Sequence, residues 1–81
     1  MKTQEIRNNA KYNALASKLY DYVQQLVVNR NKKIISELAV QIFCIDNIDD
    51  VNEVCEELNI GEDSLKECLI ETADVANHRG E

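Results

Sequence analysis

Residues 34–45 read IISELAVQIFCI. Ile35, Leu38, Ile42 and Ile45 recur at spacings of 3, 4 and 3, which aligns them along one side of a helix. Val40, Phe43 and Cys44 fall on other sides, so the segment is apolar nearly all round. A helix of that kind belongs at the centre of a bundle. Residues 40–45 taken alone favour a strand, through Val, Ile and Phe. No second segment offers itself as a pairing strand, so the pattern predicts a central helix over 32–45.

Upstream, residues 4–29 read as one amphipathic helix, with Thr3 placed to cap it. Tyr12, Leu15, Leu19, Tyr22 and Leu26 recur at spacings of 3, 4, 3 and 4, and Ala16, Val23 and Val27 widen the stripe. Lys11, Lys18, Asp21 and Gln25 lie opposite. Asn29, Arg30 and Asn31 form a weak breaker. Continuing the heptad frame of the stripe would put Asn29, Lys33 and Ser36 at core positions, so a turn is expected before the central helix. One consideration favours a continuous helix instead. Lys32 and Lys33 would crowd the positive end of the helix they open.

Downstream, Asp46 to Asp50 marks a boundary. Asp50 followed by Glu53 fits a capping box. The helix that follows should run to Leu58, with Val51, Val54, Cys55 and Leu58 inward. Asn59, Ile60 and Gly61 suit a tight corner, since Asn or Gly can take the left-handed conformation at a helix end. A last helix is expected over 62–77, its inner face Leu65, Cys68, Leu69, Thr72, Ala73 and Ala76. The fold class is therefore all-α: a small bundle of three to four helices in a single domain, 1–81.

Composition agrees. A chain of 81 residues makes one domain with a thin core. It has no proline and two glycines, which favours helices joined by short connections. No stretch approaches the ~20 apolar residues of a membrane span, and the N-terminus lacks signal-peptide features. Three cysteines at apolar positions argue for free thiols and a cytoplasmic location. Abundant Asn, Ile, Asp, Glu and Lys is a flavour common in AT-rich genomes, many phages included.

The charges are segregated. Residues 1–33 carry seven Lys or Arg and two acids, and residues 34–81 carry two basic residues and thirteen acids. Such a split concerns docking rather than catalysis. The halves can neutralise each other within a chain or between copies, or each can face a partner. Candidate partner-binding residues are Lys11, Tyr12, Lys18, Leu19 and Tyr22 on the basic helix, and Glu53, Glu56, Glu57 and Glu67 on the acidic half.

Residues 51–69, VNEVCEELNIGEDSLKECL, resemble a helix-turn-helix unit. Val54, Leu58, Ile60, Leu65 and Cys68 stand at its apolar positions, Cys55 at the small one and Asn59 at the turn. As a reader of DNA it would present Gly61, Glu62, Asp63, Lys66 and Glu67, of which three are acids that repel phosphate. Catalytic and metal motifs are missing. His78 is the only histidine, and the cysteines lack CxxC spacing. Asp46, Asp49 and Asp50 form only a fragment of a calcium loop, which helix capping explains. We therefore expect no enzyme, no cofactor and no metal. The expected function is a small intracellular regulator or inhibitor, phage-encoded on its composition, that binds a protein partner and forms a homo-oligomer, most simply a dimer. Two alternatives are a helix-turn-helix transcriptional regulator and an acidic mimic of nucleic acid.

Overall fold

The computed structural model describes residues 3–30 and 35–79, excepting the side chains of Thr3, Arg30 and Arg79. Among the described residues five helices follow in order: α1 (Thr3–Arg7), α2 (Ala10–Arg30), α3 (Ser36–Asp46), α4 (Ile48–Leu58) and α5 (Glu62–Arg79). No strand occurs among the described residues. The all-α class holds, with five helices where three to four were expected.

The extra helix comes from a break at Asn8 and Asn9. Asn9 caps α2: its Oδ1 accepts from the Tyr12 backbone N–H at 2.9 Å, and its carbonyl accepts from the Asn13 N–H at 2.9 Å. Asparagine competes well for this position because its short side chain replaces a missing helical acceptor. The single helix expected over 4–29 is thus two, and the cap lies at Asn9. The Thr3 side chain expected to cap lies outside the described residues.

The turn expected between α2 and α3 lies outside the described residues, but the two helices are not continuous through Ile35. α2 ends at Arg30, and Ile35 is extended at φ −86° and ψ 108°. The start expected at 32 falls partly on residues outside the described set. The next corner turns on one residue, Asn47. Its backbone N–H and its side-chain amide both donate to the Phe43 carbonyl, each at 2.9 Å, and close α3. Its own carbonyl accepts from the Val51 N–H at 3.0 Å and opens α4. No Asp50–Glu53 capping box forms, because α4 begins at Ile48 and places Asp50 inside its first turn. There Asp49 and Asp50 face the positive helix end, a favourable place for acids.

The corner after α4 is made by Asn59, left-handed at φ 54° and ψ 49°. The Ile60 N–H reaches the Cys55 carbonyl at 3.1 Å, and the Asn59 N–H reaches Glu56 at 3.3 Å. This pair of bonds is a Schellman motif. Asn59, not Gly61, supplies the positive φ.

α5 is the central helix, touching each of the other four. Its inner face is Leu65, Cys68, Leu69, Ala73 and Ala76, all buried as expected, with Thr72 half-buried. Against it pack Tyr12, Leu15, Leu19, Val23 and Val27 of α2, and Ile6 of α1 joins the same core. Tyr22 and Leu26, placed on the α2 stripe by sequence, are only half-buried. α4 contributes Val51, Val54 and Leu58, with Cys55 half-buried.

α3 overturns the central reading of 34–45. It buries Ser36, Ala39, Val40, Phe43 and Cys44. The stripe Ile35, Leu38, Ile42 and Ile45 faces outward, exposed by 65%, 52%, 52% and 72%. Both sides of the helix are apolar, so periodicity does not rank them. Shape does: Ser36, Ala39 and Cys44 are small and let α3 approach α5 closely, while Phe43 reaches the Tyr22 ring at a centroid distance of 5.9 Å.

The contrast between Leu19 and Leu38 tests this arrangement. Leu19 is fully buried, so Leu19→Ala should cost about 2–5 kcal/mol in urea unfolding followed by circular dichroism. Leu38→Ala loses only the buried half of a side chain and should cost roughly 1 kcal/mol. Equal losses would mean that α3 faces the other way.

Candidate interaction surfaces

The segregated charges meet inside one chain. Arg7 of α1 pairs with Glu71 of α5. Lys11 of α2 donates to Glu53 Oε1 of α4 at 2.6 Å and lies 3.5 Å from Glu57 Oε1. Asn9 Nδ2 donates to Glu57 Oε2 at 2.7 Å. Lys18 donates to Asn47 Oδ1 at 3.1 Å and stands 3.7 Å from Asp50 Oδ2. A row of polar contacts thus joins the basic edge of α1 and α2 to the acidic edges of α4 and α5. Each pair is solvent-exposed, so each contributes little alone, and together they fix how the helices are set.

The titration behaviour follows from these contacts. The Lys11 ammonium is held above its ordinary pKa by its hydrogen bond and attraction to Glu53, with Glu57 adding to both. The Glu57 carboxyl is held below the usual carboxylate value, first by the Asn9 amide and then by Lys11. Burial pushes the Cys44, Cys55 and Cys68 thiols up, which keeps them protonated and poorly nucleophilic. All three are free, and Cys44 and Cys68 are buried.

The residues singled out from sequence therefore divide. Lys11, Lys18, Glu53 and Glu57 come together, and they engage one another. Tyr12 and Leu19 are core residues, and Tyr22 is half-buried against Phe43. Glu56 and Glu67 are exposed on α4 and α5. Burial also pushes the Tyr12 phenol up, and the nearby Thr72 hydroxyl partly offsets this. The phenol makes no hydrogen bond of good geometry. The Thr72 hydroxyl instead donates to the Cys68 carbonyl at 3.5 Å.

Between α2 and α4 runs a groove of about 330 Å³. Ala14, Leu15 and Val54 give it an apolar lining, and the Lys11–Glu53 and Lys18–Asp50 pairs border it. A charged ligand there would compete with partners already in place. No cluster of three metal-binding side chains exists among the described residues. None of the described helices is long and apolar enough to cross a membrane.

The largest departure from an ordinary surface is α3. Four aliphatic side chains stand half or more exposed along one side of it, and Ile48, 41% exposed, follows at the start of α4. Isolated apolar side chains on a surface are normal, whereas a contiguous row marks a binding surface. Sequence reasoning found these residues by their spacing and assigned them to the core.

No protein-family model matches the chain, and comparison with curated proteins and with solved structures gives no significant match.

Two measurements check these assignments. Asn9→Ser retains a capping oxygen but loses the amide that reaches Glu57. In carboxyl-detected NMR titration, the Glu57 pKa should move up toward the usual carboxylate value. Glu57 contributes stability that is complete above the carboxylate range and is lost as pH falls through its lowered folded value. The acid-side loss of stability should accordingly be smaller in the variant. The second concerns Tyr12→Phe, which removes a buried hydroxyl that lacks a good partner. Its melting midpoint should equal or exceed that of the parent. A clear drop would show that the hydroxyl is satisfied.

Proposed function

We propose that this chain is a small protein-interaction module, a regulator or inhibitor that works by covering a partner's surface, with the outer face of α3 as its working surface. The observation that carries this reading is the exposed row Ile35, Leu38, Ile42 and Ile45 on a helix whose opposite side is already packed. Burying the remaining half of an aliphatic side chain gains roughly 1 kcal/mol, so the row offers a partner several. Among the described residues nothing comparable supports catalysis: the thiols are held protonated, and the groove between α2 and α4 is bordered by paired charges. The unpaired cysteines suit a reducing compartment, which supports action in the cytoplasm. The homo-oligomer expected from sequence is one form of the same reading.

Nucleic acid is the weaker reading. The first turn of α5, which a helix-turn-helix protein would present to DNA, exposes Glu62 and Asp63, and its Lys66 stands 3.7 Å from Glu62. The basic side chains Arg7, Lys11 and Lys18 are turned onto the protein's own acids. An acidic mimic would have to display carboxylates, and Asp50, Glu53, Glu57 and Glu71 already face cations of α1 and α2.

Affinity capture tests the choice of surface, using a host lysate that also contains a differently tagged copy of the chain. Ile42→Asp should abolish every specific capture while leaving helicity unchanged. The double variant Glu56→Gln, Glu67→Gln should capture normally. The opposite pattern would transfer the function to the acidic surface.

A further inference from the structure

We infer that the outer face of α3 is an isologous seam, on which a second copy of this chain packs its own α3 antiparallel, with Ile35 against Ile45 of the second copy and Leu38 against Ile42. The inference rests on the reading of α3 as the working surface and names its occupant.

The stripe is self-complementary. Its spacing of 3, 4 and 3 is the same read from either end. A two-fold axis perpendicular to α3 near residue 40 carries Ile35 onto Ile45 and Leu38 onto Ile42. All four are aliphatic side chains of similar volume, so the row fills the same spaces after the rotation. This is the property a two-fold interface requires, one patch serving both sides.

Charge selects the antiparallel direction. The stripe itself holds no charged residue, and Asp46 closes α3 with no basic residue in its last turn. A parallel pairing would set Asp46 beside its own copy at the negative ends of two helices. The antiparallel pairing parts the two Asp46 residues by about 18 Å, at 1.5 Å per residue. It also brings each one to the N-terminal end of the other α3. That end is positive and uncapped, since Ile35 has no side-chain acceptor to offer. Glu37 is the one acid in the first turn of α3, and each copy thereby brings a second acid to the other's helix start.

The size of the seam fits a reversible dimer. Ile35 to Ile45 spans about 15 Å of helix. Such a row is smaller than the standard interface of about 800 Å² per partner, so micromolar association is expected.

A pair of complementary substitutions tests occupant and direction together. Leu38→Lys and Ile42→Glu are each made in the full chain, and both positions are exposed, so circular dichroism should remain that of the parent. In sedimentation equilibrium the parent should pass from monomer to dimer across the micromolar range. Each variant alone should dimerise more weakly by about a hundredfold, because an unpaired charge enters an apolar seam. An equimolar mixture of the two variants should recover dimer, since the ammonium introduced on one copy then meets the carboxylate introduced on the other. If either variant loses helicity, Ile35→Lys with Ile45→Glu poses the same question in the same register. A parent that stays monomeric up to millimolar concentration would remove the second copy as occupant. The docking reading would survive that result if Ile42→Asp still abolished capture of another protein. A dimer unchanged in both single variants would remove the α3 face as well. Monomeric variants whose mixture stays monomeric would reject the antiparallel pairing.

Discussion

The packing of α5 against α2 sets the terms for everything else in this protein. α5 and α2 each touch all the other helices, and their contact with one another is the most extensive in the fold. Leu19 and Val23 of α2 and Leu65, Leu69, Ala73 and Ala76 of α5 are all fully buried. The inner face of α5 carries leucines in its first half and alanines in its second. In a chain this short, one well-filled contact must supply most of the core. The remaining helices attach where that contact leaves apolar surface open.

Charge works on this frame as a guide and not as its foundation. Arg7, Lys11 and Lys18 lie at intervals along α1 and α2, and each meets an acid of α4 or α5. Exposed pairs are individually weak and screened by salt. Their value lies in orientation: with like charges on each side, α4 and α5 can approach the basic edge but not each other's acidic faces without cost. For Arg7, Lys11 and Lys18 the split is answered inside the molecule, and among the described residues the aliphatic face of α3 is left exposed.

α3 carries more apolar surface than a peripheral helix can bury. A helix at the edge of a small bundle touches its neighbours along one side, and only about half of its circumference is covered. α3 buries Phe43 with the small residues Ala39 and Cys44, and this exposes the larger isoleucines. The row that periodicity marks as a core is consequently a surface. That conflict between local pattern and tertiary position is of the kind found where function is placed.

The sequence by itself determined the helical class, most of the inner faces of α2, α4 and α5, and a tight corner within residues 59–61, because these depend on spacing along one helix or on local backbone freedom. It also showed that charge was divided between the halves. It did not show the break at Asn9, where a side chain replaces a helical acceptor without interrupting the apolar period. The single-residue corner at Asn47 was equally hidden: Asp50 and Glu53 read as a cap, but the Asn47 amide had already closed one helix and its carbonyl opened the next. Only the tertiary structure decided that α5 rather than α3 is central, that Lys11, Glu53 and Glu57 satisfy one another, and that Ile35, Leu38, Ile42 and Ile45 face outward. Those outcomes depend on which of two apolar sides fits a neighbour more closely. Periodicity records that a side is apolar, whereas the volumes facing it across the interface settle whether it is buried.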